Sequence, residues 1–335
     1  MNDRYNDALR FHKVPADAPD FSEFKRVLGE LKSILSDSGK ADIGLLHELG
    51  NFQDEDGSFK LTDSWKIPSD ARVDFCYMPT YMGAAIFMRE YLRPDKNVPE
   101  QMAYEILLKA LKASLGRGLA GHGYESEKGL LIALDLFRQG GLKGFLETAR
   151  PVCPEFHALI WDILDSRDAD LKEKGAIKGA WGEDYTDSWR KTIENIKPTR
   201  RLYLAYGSNM AQNQMLSRCP QAKLVGMTHL NGWALKFHHF ADIEKHEGAN
   251  APSVIWDITK SDEKELDHYE GYAKHYVKKN IIVTVNDAPV SAMAYVMTDW
   301  KKTGAPGACE MPSESYLDLI QKGYSEAGFI EKITF

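Results

Sequence analysis

The chain changes character at Ile196-Lys197-Pro198-Thr199-Arg200. Before this break, apolar residues recur at helical spacing; after it, they fall in short strand-like runs. Proline cannot continue a helix's hydrogen bonding, and it biases the preceding residue toward extended geometry. Two periodicities on either side of such a break describe two domains, and 335 residues supply enough material for two cores. The pattern predicts a multi-domain α and α+β protein, with an α-helical domain at 1–195 and a strand-rich domain at 201–335, the boundary lying near 196.

In the first part, Phe24, Val27, Leu28, Leu31 and Leu35 mark a helix over Glu23–Leu35. Tyr81–Tyr91 and Gln101–Leu115 read as longer helices. Gly129–Phe137 and Leu142–Ala149 follow across a Gly140-Gly141 break, and Phe156–Leu164 is one more. Amphipathic segments joined by glycine-rich breaks suggest an antiparallel bundle or toroid-like domain. Asp168–Ser188 is strongly charged and reads as a solvated surface.

In the second part, strands are expected at 201–206, 222–226, 233–239, 253–258, 275–285 and 290–297. Asn286-Asp287-Ala288-Pro289 provides the turn of a hairpin between the last two. Helices near 262–270 and 313–327 complete a small mixed barrel.

Charge bounds the partners. The formal net charge is −7, and neither half is basic: residues 1–200 carry 28 basic and 33 acidic side chains, and residues 201–335 carry 14 and 16. Nothing here favours a nucleic-acid partner. No run of 18 apolar residues is present, so no membrane span is expected. The first residues are polar, unlike a signal peptide. Cys76, Cys153, Cys219 and Cys309 are far apart, which favours free thiols in a reducing compartment and hence a cytoplasmic protein. Oligomeric state is not legible.

The feature with chemical content is Tyr206-Gly207-Ser208-Asn209. It closes the apolar run Leu202-Tyr203-Leu204-Ala205 and opens a helix-like stretch, Met210–Ser217. A strand that feeds a helix through such a turn leaves backbone N–H groups pointing one way, at the positive end of a helix dipole. That is a small anion pocket. The same residues also describe a surface turn with Ser208 or Asn209 as a helix cap. Farther on, Glu270 ends the segment Asp262–Glu270 and is followed by Gly271, a helix stop. Beside Tyr269, Tyr272 and Tyr276, its carboxylate has an apolar setting that would raise its pKa; a solvated charge at a helix end is the plainer alternative.

The order of these segments resembles the gamma-glutamylcyclotransferase (AIG2-like) family. The resemblance runs from Tyr206-Gly207-Ser208-Asn209 through Leu230-Asn231-Gly232-Trp233, Trp256-Asp257-Ile258-Thr259, Leu266-Asp267-x-x-Glu270-Gly271 and Tyr295-Val296-Met297-Thr298 to the helix-like Pro312–Leu317. It covers residues 200 to about 330 and nothing earlier. It implies a mixed β-barrel with flanking helices. It also implies an enzyme that cyclises a γ-glutamyl amine or γ-glutamyl amino acid, releasing 5-oxoproline and the free amine. Glu270 would be the general base, and the N–H groups of Gly207, Ser208 and Asn209 the oxyanion donors. Tyr206, Tyr276 and Tyr316 would line the substrate pocket. The resemblance calls for a small-molecule γ-glutamyl substrate and no metal or other cofactor. A rival reading keeps the fold without turnover, as a binding module for γ-glutamyl or carboxylate groups or for a protein partner.

The chain departs from the family pattern at Asn250-Ala251-Pro252-Ser253, which runs almost directly into Val254-Ile255-Trp256. One barrel edge is therefore expected to be remodelled over 238–256, with His238–Gly248 as an insertion that covers the pocket and affects substrate size. Other signals are weak. Ser208 is not in a nucleophile elbow. His238, His239 and His246 lack the spacing of a helical metal pair. Gly116-Arg117-Gly118-Leu119-Ala120-Gly121 fits a dinucleotide motif literally but follows a helix. Asp74, Cys76, Tyr77 and Tyr81, with His122, Tyr124, Glu125 and Glu127, are candidates for a cleft that caps and packing explain equally well.

Overall fold

The computed structural model describes residues 29–30, 32–36, 41–59, 78–96, 98–116, 119, 126–304 and 311–333. The chain divides into two compact units, one formed by Met1–Phe145 with Lys178–Ile196, the other by Leu146–Ile177 with Lys197–Phe335. The break near 196 is thus one of three points where the chain passes between units. Residues 146–177, expected in the first domain, group with the second.

The first unit is helical. Its helices are α1 (Ile43–Asn51), α2 (Met78–Leu92), α3 (Glu100–Gly116) and α4 (Ser126–Gln139), then, after α5 (Leu142–Glu147) and α6 (Pro154–Lys174), α7 (Thr186–Ile196). Residues 32–36 are also helical; the rest of the expected Glu23–Leu35 helix lies mostly outside the described residues. α2 packs on α3 and α4, and α4 on α7. Ala84, Ala85, Ile86, Phe87 and Met88 are all fully buried, so α2 is apolar on every side, as a central helix must be. These contacts do not define a toroid or a closed bundle. Tyr81 packs on Phe137, and Glu127 accepts from the Trp189 indole at 2.7 Å, which accounts for both residues by packing. Asp74, Cys76, Tyr77, His122, Tyr124, Glu125 and most of the Gly116–Gly121 motif lie outside the described residues.

The second unit is built on a five-stranded sheet. Its strands are β1 (Arg200–Ala205), β2 (Lys223–His238), β3 (Phe240–Thr259), β4 (Tyr276–Val285) and β5 (Ala288–Met297), in the order β2-β3-β1-β5-β4. β1 lies antiparallel to β3, from Arg200↔Thr259 to Ala205↔Val254, and parallel to β5 at Tyr203↔Met293. The β4–β5 hairpin turns at Asn286 and Asp287, both with positive φ, as a tight two-residue turn requires. The outer strands approach each other: Thr228 on β2 donates its hydroxyl to the Thr284 carbonyl at 2.8 Å, which closes the sheet toward a barrel without a ladder between those edges among the described residues. α8 (Gln212–Arg218), α9 (Lys260–Glu270) and α10 (Glu314–Glu326) flank the sheet.

The 238–256 segment differs from expectation. β2 and β3 form one long hairpin that turns at His239, with register shifts between Asn231 and Ala234. The expected strands at 222–226 and 233–239 are one strand, and 253–258 is only the end of β3. Much of the hairpin faces water, so its sequence carries little apolar alternation.

α6 packs against β4 and β5. Arg201 on β1 is buried and reaches across to it, bonding Asp165 through Nη1 at 3.1 Å and Nη2 at 2.9 Å. The same guanidinium bonds Glu263 at 2.9 Å and Asn280 at 2.8 Å, and lies 3.7 Å over the Trp161 ring. A charge this deep is tolerated only when paired and fully hydrogen-bonded. The arginine field holds the Asp165 carboxyl well below the usual carboxylate range despite burial. Lys172 extends the contact by bonding Asp267 of α9 at 2.8 Å. The charged stretch from Asp168 onward therefore begins as helix with partners, not as open surface.

Candidate active site

Two local structures bring the candidate groups together. β1 ends at Ala205, and the chain then forms a single 3-10 turn at Ser208–Met210 before α8 begins. The residue capping α8 is Ala211, with no side-chain cap, so neither Ser208 nor Asn209 serves as the helix cap. Met210 and Ala211 send their N–H groups back to the carbonyls of Gly207 and Ser208. No internal hydrogen bond engages the N–H groups of Gly207, Ser208 or Asn209 among the described residues. Gly207 has φ −114°, so its value is room and not a left-handed turn. A Cβ placed there would lie 3.2 Å from the Ala241 Cβ and 3.6 Å from the Tyr316 hydroxyl.

The second structure is α9. It starts in a capping box, with Thr259 accepting from the Asp262 N–H and Asp262 from the Thr259 N–H. It ends at Gly271, whose φ of 63° stops the helix. Glu270 is the last helical residue. Tyr295 donates to Asp267 at 2.7 Å, and Lys278 and Lys172 pair with the same carboxylate, which fixes the last turn of α9.

Glu270 and the turn face one cavity of about 170 Å³. All seven residues proposed from the sequence line it: Tyr206, Gly207, Ser208, Asn209, Glu270, Tyr276 and Tyr316. Asn209 joins them. Its buried side-chain amide donates to Glu270 Oε1 at 3.2 Å and to the Tyr203 hydroxyl at 2.9 Å, and its Oδ1 accepts from Arg218 Nη1 at 2.6 Å. Trp256 holds the Asn209 carbonyl at 3.2 Å. Burial pushes the Glu270 carboxyl up to about 7, against the Arg218 guanidinium and the Asn209 amide, which pull it down.

The tyrosines have distinct settings. Tyr206 donates to the Tyr295 carbonyl at 2.5 Å and Tyr276 to the Ala241 carbonyl at 2.9 Å, so both hydroxyl protons are committed to main chain. Tyr316 instead accepts from the Ala241 N–H at 3.2 Å and keeps its own proton available. The apolar setting expected from Tyr269, Tyr272 and Tyr276 is partly different. Tyr269 and Tyr276 line the cavity, but Tyr272 turns away and donates to the Asp165 carbonyl at 2.7 Å. Tyr203 and Tyr295 take its place, packed edge to face with ring centres 5.9 Å apart.

Sequence reasoning missed Tyr203, Phe240, His275, Tyr295, Lys301 and Arg218. The first five line the cavity; Arg218 stands behind Asn209, its guanidinium 3.2 Å over the Tyr269 ring. Tyr203 stands in the apolar run Leu202–Ala205 before the turn and Tyr295 in a motif of the resemblance, but neither is assigned a role there. Phe240 and Ala241 are what the 238–256 segment contributes to the cavity wall.

A second polar cluster lies nearby. His238, Asp242 and Glu244 offer ligand atoms within 4.8 Å of one another. Lys302 occupies this cluster, with its ammonium 2.7 Å from Asp242 and 2.8 Å from Glu244. Cys153 and Cys219 are buried, while Cys76 and Cys309 lie outside the described residues. No helix among the described residues is long and apolar enough to cross a membrane.

The second unit is similar in sequence to known proteins. Residues 203–318 match the family model of Gamma-glutamyl cyclotransferase, AIG2-like. Over 141 residues the chain is 29% identical to Gamma-glutamylcyclotransferase of Mus musculus and 27% identical to that of Homo sapiens; each match takes in 38% of this chain and 71% of the relative. A solved gamma-glutamyl cyclotransferase aligns at 22% identity over 41% of this chain and 90% of that one, with a TM-score of 0.34. Residues 203–318 are a domain of the gamma-glutamyl cyclotransferase, AIG2-like family.

Proposed function

We propose that the cavity cyclises a γ-glutamyl amine or amino acid to 5-oxoproline and frees the amine. Ionised Glu270 takes a proton from the substrate's α-ammonium. The freed amine attacks the γ-carbonyl carbon, a C–N bond forms, and the carbonyl electron pair moves onto oxygen. That oxyanion is met by the N–H groups of Gly207, Ser208 and Asn209. The pair then returns and the original C–N bond breaks. Glu270 hands its proton to the departing nitrogen, and the second proton that the attacking nitrogen must lose to become the lactam N–H passes through the same carboxylate to the amine, which leaves as an ammonium. No metal or organic cofactor enters this sequence.

Each part has a physical rationale. A base near pH 7 is better matched to an ammonium proton than an ordinary glutamate, and such a base contributes roughly 10²–10⁴-fold. One oxyanion donor contributes roughly 10²–10³-fold. Holding the flexible chain curled removes the rotational freedom that slows cyclisation in water. Tyr206 and Tyr276, their hydroxyls already bonded, serve as shaped walls; Tyr316 can still donate. The low and scattered cysteine content is compatible with a reducing compartment such as the cytoplasm.

The observation that carries the reading is the meeting of Glu270 with the 206–209 turn in one cavity, joined by Asn209 at 3.2 Å. The test is release of 5-oxoproline from a panel of γ-glutamyl amines and amino acids, with equimolar free amine. Tight binding of the panel without release would favour a non-catalytic binding module.

A further inference from the structure

The mouth of the cavity carries a cation that the reaction above does not use. Trp300–Gly304 forms a single π-helical turn after β5, an irregular geometry that recurs at functional positions. Lys301 in this turn is half-buried and lines the cavity, with its ammonium 5.4 Å from the centre of the Phe240 ring. It pairs with no carboxylate among the described residues. Its neighbour Lys302 is the opposite case, held between Asp242 and Glu244. Arg218, the other cation close to the site, is committed to Asn209 and the Tyr269 ring.

His275 and Lys274 stand beside the turn that carries Lys301. Trp300 stacks on His275 with ring centres 5.5 Å apart, and Lys274 lies 4.8 Å over the same indole. Burial, Lys301 and Lys274 together lower the His275 pKa, so its ring is neutral at pH 7 and adds no charge of its own. Among the described residues, Glu270 is the one acidic side chain that lines the cavity.

Orientation follows from burial. Asn209, which bonds Glu270, is nearly inaccessible, as are Tyr203 and Tyr295, and marks the inner end; Phe240, against which Lys301 lies, is 41% exposed and marks the mouth. The glutamyl part of a substrate must reach Glu270, so the amine that departs lies toward Lys301. An unpaired ammonium beside an aromatic ring has lost part of its hydration, and an anionic ligand restores that interaction.

We propose that Lys301 is a specificity-determining residue that reads the charge of the departing amine. The site takes γ-glutamyl compounds whose amine bears an acidic group close to the scissile nitrogen, and it disfavours cationic leaving groups of the polyamine kind. This inference rests on the cyclisation reading for the placement of the two halves of the substrate.

The test compares γ-glutamylalanine, its carboxamide and γ-glutamylputrescine on the full chain at low ionic strength. The expected order in kcat/KM is carboxylate, carboxamide, putrescine, with roughly a tenfold step between the first two, as for a hydrogen bond to a charged group. The step should shrink with added salt. Lys301→Met should bring the carboxylate-to-carboxamide ratio to about one, Lys301→Arg should keep it, and Lys301→Glu should move putrescine to first place. A ratio is insensitive to the fraction of protein that folds, since unfolded molecules lower all three rates alike. An unchanged ratio in Lys301→Met overturns the proposal. If no compound yields 5-oxoproline, calorimetric titration of Glu270→Gln protein with the same three ligands reads the preference directly. A carboxylate preference there upholds Lys301 and removes the reaction instead; equal affinities, or no binding by any of the three, overturn the role of Lys301.

Discussion

Arg218 donates to Asn209 Oδ1 at 2.6 Å, and this leaves the Asn209 amide one orientation, with its Nδ2 toward Glu270. The base is thus tuned by a residue that never touches the cavity. Burial raises the Glu270 pKa, while Arg218 and Asn209 restrain the rise. Removing Arg218 should therefore push it higher still. For Arg218→Met the acid limb of the rate profile should move from near pH 7 to higher pH, with a smaller change at alkaline pH where the base is ionised in both proteins. A pH–kcat/KM profile checks this, and an unmoved limb would remove Arg218 from the electrostatics of the site.

Glu270 also sets a stability signature that needs no substrate. Its folded pKa of about 7 lies above the ordinary glutamate value of 4.5. A raised carboxylate pKa means that the folded state holds its proton more tightly than the unfolded state does. The associated stability is complete below the unfolded pKa and is lost as pH rises through 7. Glu270→Gln carries no such loss. Unfolding by denaturant should find the variant close to wild type at pH 4.5 and more stable at pH 8, by up to about 3 kcal/mol. Equal stabilities at pH 8 would mean that the carboxylate is not desolvated.

Gly207 is predicted to matter through space. Valine there adds a Cβ and two methyl groups where 3.2 Å already separates the Cβ position from Ala241. The fold should survive with a loss of about 1–3 kcal/mol, while turnover falls by roughly 10²-fold or more because the donors are screened. Ser208→Ala keeps its N–H and should stay within a few-fold of wild type. Complete loss in Ser208→Ala, with a covalent adduct on Ser208 in the wild type, would point to a serine hydrolase.

The contact between α6 and the sheet leads to a prediction about domain limits. Arg201 depends on Asp165, so Asp165→Ala leaves a buried guanidinium short of its main partner. The expected cost is about 3–5 kcal/mol, read as a lower denaturation midpoint. A fragment of residues 201–335 loses the same partner and should be less stable than one that retains α6. A fully stable 201–335 fragment would instead restore the boundary at 196.

The parts legible in the sequence are those with local signals. β1, the β4–β5 hairpin and the start and end of α9 each carry alternation, a turn pair, a cap or a stop glycine. The β2–β3 hairpin carries few of these, because its outward positions are polar and its apolar ones, such as Ile243 and Ala251, are separated by charged residues. The helical period of α6 was visible, but its partner was not: Asp165 reads as a misplaced charge until Arg201 is brought to it by the fold. The site shows the same division. Glu270 and the turn stand in recognisable motifs, whereas Arg218 and Lys301 resemble any surface cation, and only the tertiary structure separates the one bound to Asn209 from the one left at the cavity mouth.

Cyclisation by Glu270 is tested most directly by 5-oxoproline release from the best γ-glutamyl substrate, measured for wild type and Glu270→Gln at pH 8. Glutamine preserves shape and can still meet Asn209, but it cannot accept an ammonium proton at this pH. Wild type should release 5-oxoproline and free amine in equal amounts, and the variant should bind the substrate with similar affinity while its rate falls by roughly 10²–10⁴-fold. A variant that cyclises at the wild-type rate would show that Glu270 is not the base.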